Sequence, residues 1–376
     1  MSKDVVDIFC GAGGTSTGLI RAGYNVKLGI DNNERAIKSF SENHEEAEGL
    51  ETDVTELEAD EIDVDPFLMT GSPPCQIFSN ANRHKGKEAD EKYLYQEYLR
   101  MVEELEPNFV LMENVRGMES ISKRIIREMG EIGYIANTVV LNSREFGIPQ
   151  NRERLFFLGI RKDAYDTEPS FALSKLKMKV LSRKKNQEKP LKEALWGLRE
   201  LKPREEKLNT DLESEDHGLT EDEHIHDGED PTEYVKRING GELPDKVYNH
   251  KARYHNERDR EIYSLLPEGE NAEHSSIQDI MPYKIGSFTD KYYKLDRDEV
   301  CKTITAHMSK DCNSYIHPEE DRGLTPREAA RVQSFPDDYR FYGPYTSWFQ
   351  QIGNAVPPLM AEEIGRGFQE THEELR

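Results

Sequence analysis

A cysteine on a stiff loop is the strongest chemical feature of the sequence. Cys75 lies within Gly71–Ser79, directly after the strand-like run Phe67–Thr70, and Pro73 and Pro74 precede it. Prolines restrict the backbone, and open α/β sheets bind ligands outside the carboxyl ends of their strands, where this loop would lie. The sequence therefore predicts a nucleophilic thiol at Cys75. The alternative is a buried cysteine that acts as a small apolar side chain.

A second candidate is the acid Glu113, which follows the apolar run Phe109–Met112. A carboxyl group at the end of a buried strand is partly desolvated, so it can hold a proton near neutral pH and donate it. Glutamates after strands are common, so Glu113 is a candidate catalytic residue only in combination with Cys75.

Two arginines precede the apolar run Leu155–Ile160. Side chains two positions apart on an extended segment point the same way, so the guanidinium groups of Arg152 and Arg154 can share one site. The alternative is a surface strip of ion pairs with Glu153.

A glycine-rich turn follows the first strand-like run. Glycines let a backbone approach a ligand closely, and an acid at the end of the next strand can accept hydrogen bonds from ribose hydroxyls. Asp31 has that position, and Asp53 could accept from an adenine amino group, although a cap role is the alternative for both. Ser16 stands where a dinucleotide fingerprint has its third glycine, but the turn alone does not separate NAD from S-adenosylmethionine. The residues of the turn are Phe9, Gly11, Ala12, Gly13 and Gly14.

The elements that must position these residues alternate along the first 161 residues. Short apolar runs alternate with amphipathic stretches such as Glu91–Glu106, which predicts an α/β, Rossmann-like, mostly parallel sheet with helices on both faces. The predicted strands are Val5–Phe9, Val26–Ile30, Phe67–Thr70, Phe109–Met112, Ile135–Leu141 and Leu155–Ile160.

The sequence changes character after Arg161, and an acidic run extends over Glu205–Glu233. We predict one domain from residues 1–161 plus 345–376 and a smaller, irregular domain from 162–344. The segment Leu324–Pro358 has helical periodicity interrupted by prolines, which is typical of scaffold.

Composition excludes a membrane protein. The 376 residues carry a net charge of −23, 35% are hydrophobic, and no apolar stretch approaches the roughly 18 residues that a bilayer span requires. The start of the chain lacks a signal-peptide pattern, so we predict a cytoplasmic protein, with a high-salt cytoplasm as one explanation of the acidity. The cysteines form no CxxC pair, which argues against zinc. Those we expect to be buried are Cys10, Cys301 and Cys312.

In this order, the motifs resemble those of the C5-cytosine DNA methyltransferases. The resemblance covers residues 1–161 and about 300–358; in the family, a variable target-recognition domain lies between, where only Asn249–Arg253 is loosely similar. It implies methyl transfer from S-adenosylmethionine to C5 of cytosine in a short specific sequence of duplex DNA, in a restriction-modification system or as a solitary methyltransferase. Gln76–Ser79 favours the DNA branch over the subgroup that methylates transfer RNA.

The resemblance also implies residue roles. Cys75 would add to C6 of a cytosine flipped out of the duplex, and Glu113 would be the acid at the ring. Arg154 would contact the carbonyl oxygen of the base, with Arg152 bracing the loop. Because Asn32 follows Asp31, where the family has a longer acid or an aromatic residue, adenine stacking would depend on Phe9. The cofactor would be held by Phe9, Gly11, Ala12, Gly13, Gly14, Asp31, Asn32, Asp53, Val54, Pro73, Asn354 and Ala355.

An acidic protein needs local cations to bind DNA. Two groups are candidates for phosphate contacts, and a solvated face is the alternative for each. The first group is Lys175, Lys177, Lys179, Arg183, Lys184 and Lys185, and the second is Lys251, Arg253, Arg258 and Arg260. Three histidines in the acidic run are weak candidates for metal ligands: His217, His224 and His226. We predict no metal site. We infer no obligatory protein partner and expect a monomer.

Two other classes of protein remain open at this point. An NAD-dependent oxidoreductase shares the glycine turn but gives Cys75 and Glu113 no common task. A non-catalytic DNA-binding protein predicts a damaged site, whereas the cysteine, the glutamate and both arginines are present.

Overall fold

The computed structural model describes residues 3–74, 94–185, 187–206, 213–224, 230–282 and 291–376. The chain divides into two compact units. Unit 1 comprises residues 1–146, 152–186 and 355–376, and unit 2 comprises 147–151 and 187–354. These boundaries differ from those expected from the sequence, because 162–186 belongs to unit 1, whereas 147–151 and 345–354 belong to unit 2. The functional roles of the two domains stay predictions.

Unit 1 is built on a seven-stranded sheet. The strands of this sheet are β1 (Asp4–Ile8), β2 (Asn25–Asp31), β3 (Glu48–Glu51), β4 (Leu68–Gly71), β5 (Phe109–Asn114), β6 (Tyr134–Asn142) and β8 (Glu153–Arg161). Their order is β3-β2-β1-β4-β5-β8-β6; strands β1 to β5 are parallel, and β8 is antiparallel to both β5 and β6. The predicted α/β class and all six predicted strands are confirmed. The sequence analysis missed β3 because this edge strand has only four residues and two of them are exposed glutamates.

The helices of unit 1 cover both faces of this sheet. They are α1 (Gly14–Arg21), α2 (Glu34–Asn43), α3 (Leu94–Leu105), α4 (Ser122–Glu131), α5 (Pro169–Ser182) and α11 (Pro358–Leu375). Successive side chains of a strand point to opposite faces. Val110 and Met112 of β5 join a core with helices α3 and α4, whereas the Phe109 ring packs edge-on against Phe368 of α11. Helix α3 confirms the described part of the predicted helix Glu91–Glu106 and ends before Pro107, as a proline requires.

Unit 2 has short elements joined by irregular segments. They are β7 (Gln150–Asn151), α6 (Lys192–Leu195), β9 (Gly218–Asp222), α7 (Glu233–Ile238), β10 (Val247–Lys251), α8 (Glu257–Leu265), β11 (Cys301–Lys302), α9 (Pro326–Val332) and α10 (Tyr345–Asn354). Buried arginines replace apolar residues in part of its core: Arg327 donates to three backbone carbonyls and Arg331 pairs with Asp337. No helix in the described residues is both long and apolar enough to cross a membrane.

Candidate active site

Four adjacent strands of unit 1 end at one edge of the sheet. The register aligns Ile30 of β2 with Ile8 of β1, Ile8 with Gly71 of β4, and Gly71 with Met112 of β5. Neighbouring strands lie about 4.8 Å apart. The residues that follow these strand positions are therefore neighbours, and they carry most of the predicted chemistry: Asp31, Phe9, Ser72 and Glu113.

The glycine turn leaves β1 in a left-handed conformation. Phe9 has φ 60°, Gly11 has φ 55°, and Gly13 has φ 84° where it caps α1. A non-glycine residue in this region costs roughly 1–2 kcal/mol, and such residues cluster at ligand sites. A Cβ placed on Gly11 would meet no described atom within 4 Å, so open space adjoins the turn.

Asp31 braces this turn. Its Oδ2 accepts from the backbone N–H of Gly11 at 3.0 Å and its Oδ1 from that of Asn33 at 2.9 Å. Burial raises the pKa of Asp31, against the effect of these hydrogen bonds. Each carboxylate oxygen accepts more than one hydrogen bond, so capacity remains for ribose hydroxyls. The glycine cradle, the adjoining space and the acceptor together fit the nucleoside part of S-adenosylmethionine.

A second acid lies under the turn. The buried Asp7 accepts from the hydroxyl of Ser16 at 2.6 Å, and burial raises the pKa of Asp7 to about 7, with a further contribution from the charge of Asp31. The sequence analysis gave Asp7 no role. Its position in the motif, two residues before Phe9, is the only signal that could have identified it.

The remaining predicted cofactor residues have mixed surroundings. Asp53 is exposed and accepts from the backbone and hydroxyl of Thr55, which is the cap role considered as its alternative. Val54 is buried, Asn32 is exposed, and Asn354 is the exposed last residue of α10 in unit 2. Their contact with a cofactor stays a prediction.

Glu113 and Arg154 form an ion pair. Arg154 Nε lies 3.0 Å from Glu113 Oε1, and the two side chains are 15% and 10% exposed. The pair arises because β5 and β8 are antiparallel neighbours, with Glu113 opposite Phe156 and Asn114 opposite Leu155. The structure thus brings together the predicted acid and one of the two predicted arginines.

Arg152 serves a different purpose from Arg154. It is 1% exposed, its Nη2 donates to the carbonyl of Ala355 at 3.0 Å, and its N–H donates to Asn142 Oδ1. Arg152 therefore fastens the start of β8 to the segment that leads into α11. The predicted role of Arg152 in bracing the loop at the base stays a prediction.

The segment that leads to the predicted nucleophile begins beside Glu113. Ser72 donates its backbone N–H to Ile8, and Asn114 Nδ2 donates to the carbonyl of the buried Pro73 at 2.8 Å. Cys75, two residues beyond Pro73, lies outside the described residues. The sequence analysis did not identify Asn114, although its place directly after Glu113 was visible.

The other cysteines are buried and free, as expected. Burial raises the pKa of the Cys10 thiol far above its usual range and that of Cys301 to about 12. Thiols in such surroundings stay protonated and are poor nucleophiles.

Most members of the first cation group form ion pairs within unit 1. Helix α5 presents Lys175 and Lys179 to Glu374 of α11, and Arg183 pairs with Glu370. Further along, Lys184 pairs with Glu145 and Lys185 with Glu363. These pairs favour a role in packing α5 on α11 over contact with phosphate.

One cluster in unit 2 has metal-ligand residue types: His317, Glu320 and Glu328. Arg322 already supplies the positive charge, because its Nη2 lies 2.7 Å from an oxygen of each glutamate. His317 Nδ1 accepts from two backbone N–H groups, so its remaining hydrogen sits on Nε2 and faces the carboxylates. This hydrogen-bonding pattern is that of a structural network. His217, one of the weak metal candidates of the acidic run, lies outside this cluster, and its Nδ1 forms a hydrogen bond with the carbonyl of Lys202.

Comparison with known proteins shows the family of this chain. The family model for C-5 cytosine-specific DNA methylase matches residues 3–370. The type II methyltransferase M.AgeI of Thalassovita gelatinovora is 30% identical, over 97% of this chain and 98% of that protein. M.DdeI of Desulfomicrobium norvegicum is 29% identical, over 96% and 87% of the respective chains.

Solved structures show the same fold. An Escherichia coli prophage protein described as a DNA modification methyltransferase matches with a TM-score of 0.73 and 26% identity, covering 99% of this chain and 100% of that one. The Dnmt2 methyltransferase of Schizosaccharomyces pombe, at a TM-score of 0.57 and 15% identity over 99% of each chain, shares the fold.

Proposed function

Because the chain belongs to the C-5 cytosine-specific DNA methylase family, we propose that it transfers a methyl group from S-adenosylmethionine to C5 of cytosine in a specific duplex sequence. The Glu113–Arg154 pair beside the start of the Cys75 loop carries this proposal. Membership of this family argues against both alternatives, the NAD-dependent oxidoreductase and the non-catalytic DNA-binding protein.

The chemistry assigned to Cys75 and Glu113 follows from the weak nucleophilicity of cytosine C5. The Cys75 thiolate adds to C6 while Glu113 delivers a proton at N3, which makes C5 electron-rich. Arg154 orients Glu113 through their ion pair and would contact the carbonyl oxygen of the base. C5 would then take the methyl group from the sulfonium, with S-adenosylhomocysteine as the leaving group. A base would remove the C5 proton, the thiolate would leave C6, and N3 would give up its proton, which restores the cytosine ring.

The cofactor supplies an electrophilic methyl group on its sulfonium. We propose that the glycine turn holds it: Phe9 lies against the adenine, Asp31 accepts from the ribose hydroxyls, and Asp53 accepts from the adenine amino group. Binding of S-adenosylmethionine should raise the melting temperature of the protein, whereas NAD should leave it unchanged.

A cytosine inside a duplex cannot reach a thiol, so the proposal includes a flipped base. DNA that contains 5-fluorocytosine tests this and the nucleophile together, because fluorine cannot leave as a proton does and the cysteine adduct persists. We expect a covalent complex with the native protein and none with Cys75→Ala, while Cys301→Ala, which removes a buried thiol, should still form it. An adduct in Cys75→Ala would refute the assignment.

The biological role follows from the relatives. M.AgeI and M.DdeI are type II methyltransferases, and we propose that this enzyme modifies DNA within a restriction-modification system or as a solitary methyltransferase. Bisulfite sequencing of DNA from expressing cells should show protected cytosines in one short sequence. Fractionation of the same cells and sedimentation of the purified protein test the predicted cytoplasmic location and monomeric state.

The net charge of −23 supports a further part of the proposal, adaptation to a high-salt cytoplasm. Salt screens the mutual repulsion of surface carboxylates. Activity and melting temperature should therefore rise with KCl toward molar concentrations. Highest activity at low salt, with loss in molar KCl, would contradict it.

A further inference from the structure

A polar cavity of about 310 Å³ opens in unit 2. Four cations and two carboxylates line it, from three separate parts of the chain. The charged lining residues are Arg253, Arg258, Lys291, Lys310, Asp259 and Asp311. A cavity with an excess of positive charge is unexpected in a protein of net charge −23, which makes it a candidate site for an anion.

Both carboxylates are occupied by internal partners. Asp259 Oδ1 accepts from the hydroxyl of Tyr292 at 2.7 Å, and its Oδ2 accepts from Asn256 Nδ2 at 2.7 Å. Asp311 Oδ1 accepts from the backbone N–H of Asn313 at 2.8 Å, and its Oδ2 lies 3.8 Å from Lys291 Nζ. These acids therefore stabilise the wall and partly neutralise Lys291.

The cations of the cavity differ in whether they have hydrogen-bond or ion-pair partners. Arg253 uses Nη1 for the carbonyl of Met308 and the sulfur of Cys312, so it supports the wall. Arg258 and Lys310 are exposed, and neither side chain has a hydrogen bond or ion pair within the described ranges of the chain. By contrast, the other members of the second cation group are paired, Lys251 with Glu213 and Arg260 with Glu205.

A hydrogen-bonded chain fixes a neutral donor in the same cavity. His255 Nε2 accepts from the N–H of Gly323, so its hydrogen is on Nδ1, which donates to the hydroxyl of Tyr263. That hydroxyl donates to Asn313 Oδ1. The oxygen of the Asn313 side chain is thereby occupied, and its Nδ2 group is a donor without an acceptor among the residues that the structure describes. Burial lowers the pKa of His255 to about 3, which keeps the chain neutral.

We propose that this cavity binds a phosphodiester group of the DNA substrate, with Arg258 and Lys310 as charged donors and Asn313 as a neutral donor. The inference rests on the proposed function, since it takes duplex DNA as the ligand. The donors of this cavity are available for a ligand, whereas its acceptors are already hydrogen-bonded. This combination suits an oxyanion. Such a contact positions the duplex but reads no base, so it acts on every sequence equally.

The salt dependence of DNA binding tests the proposal. In the full-length protein, Arg258→Gln with Lys310→Gln should weaken binding to unrelated duplexes by the same factor. The slope of log K against log salt should fall by about 0.9, because one phosphate is no longer neutralised by the protein. An unchanged slope would overturn the proposal, as would an effect confined to one sequence.

Matched controls separate this site from a general loss of charge. Arg258→Lys with Lys310→Arg keeps both charges and should retain the native slope. Lys179→Gln removes one charge whose partner is Glu374 and should leave the slope unchanged. A slope that falls equally in Lys179→Gln would show a long-range charge effect and overturn the specific contact.

Two further measurements distinguish a free anion from DNA as the ligand and separate binding from catalysis. If inorganic phosphate raises the melting temperature of the native protein but not of the double variant, while the duplex slope stays the same in both, the cavity takes a free anion and the DNA proposal is overturned. Methyl transfer is measured separately. A native protein that shows the predicted slopes but transfers no methyl group would refute the proposed function and leave this inference standing.

Discussion

Glu113 and Arg154 lie 41 positions apart in sequence and share one ion pair at 3.0 Å. In the proposed reaction, the Glu113 carboxyl acts as the acid and the Arg154 guanidinium orients it. Their proximity indicates that the two residues act as a unit. Effects of substitutions within such a unit are not additive.

Glu113→Gln should lower kcat by roughly 10²–10⁴-fold, because an amide cannot transfer the proton that a general acid supplies. Arg154→Ala should also lower kcat, and the double variant should be little worse than Glu113→Gln alone. Steady-state methyl transfer at saturating DNA and cofactor measures these effects.

Arg116→Ala is the matched control for Arg154→Ala, because Arg116 pairs with Glu153 at an exposed position. It should leave kcat close to the native value. Strictly additive losses in Glu113→Gln and Arg154→Ala would contradict a shared role.

Asn114 is predicted to be a positioning residue. Asn114→Ala removes the hydrogen bond to Pro73 at the start of the Cys75 loop. A misplacement of about 1 Å can cost on the order of 10²-fold in rate, so we expect kcat to fall by roughly 10- to 100-fold while the cofactor Kd stays unchanged. Single-turnover methyl transfer and cofactor titration measure the two quantities.

Asn137→Ala is its control, because that side chain accepts only from the neighbouring backbone N–H of Thr138 among the residues that the structure describes. It should lower the melting temperature no more than Asn114→Ala and leave kcat unchanged. If both variants lost the same fraction of kcat, Asn114 would have a merely structural role.

At the scale of elements, α1 is held in place by the C-terminal helix α11. Gly18 allows this close approach, since a Cβ there would lie 2.3 Å from the carbonyl oxygen of Pro358 and 2.6 Å from the Cβ of Ala361. Arg21 adds an ion pair to Glu362 at 2.9 Å. The helix that carries the glycine turn therefore depends on a segment that lies at the other end of the sequence.

Gly18→Ala should lower the free energy of unfolding by about 1–3 kcal/mol, because the backbone of α11 must move to admit the methyl group. Gly130→Ala is the matched control: its Cβ would meet no described atom within 4 Å, and it lies in α4. That variant should gain about 0.5–1 kcal/mol from reduced chain entropy. Urea unfolding measures both, and equal effects would contradict the packing argument.

Across the whole molecule, buried histidines make stability depend on pH. Burial lowers the pKa of His44 and His250 to about 4 and that of His255 and His317 to about 3. The unfolded chain protonates them near pH 6.5, whereas the folded chain does not. Their contribution to stability is therefore complete above pH 6.5 and is lost as the pH falls toward 4.

Three acids oppose this trend. Burial raises the pKa of Asp7 and of Glu320 to about 7 and that of Asp31 above its usual value, so the folded chain holds protons that the unfolded chain releases, and these acids favour folding at low pH. The histidines outnumber these acids, so unfolding takes up protons between about pH 4.5 and 6.5, and the free energy of unfolding falls as the pH is lowered through this range.

The free energy of unfolding, measured with urea, should accordingly be lower at pH 5 than at pH 6.5. His44→Gln should reduce the pH slope by about one proton, since this variant removes one group that titrates only in the unfolded chain. Identical urea midpoints at the two pH values would contradict the balance of protons.

Much of this protein was predictable from local sequence. Apolar runs mark the strands, the glycines of residues 11–14 mark the turn, and acids or a cysteine follow the strand ends, because propensity and periodicity act over a few neighbouring residues. The α/β class and the candidate residues Glu113 and Arg154 were identified in this way.

Only the tertiary structure determined which charged side chains form ion pairs. Lys179 and Arg258 were both candidates for phosphate contacts, yet Lys179 is paired with Glu374, while Arg258 lines a cavity and has no partner among the described residues. Likewise, Arg154 meets Glu113 because β8 enters the sheet antiparallel to β5. A residue type determines charge and hydrogen-bonding capacity, but the partners that use this capacity come from distant parts of the chain, and only the folded geometry selects them.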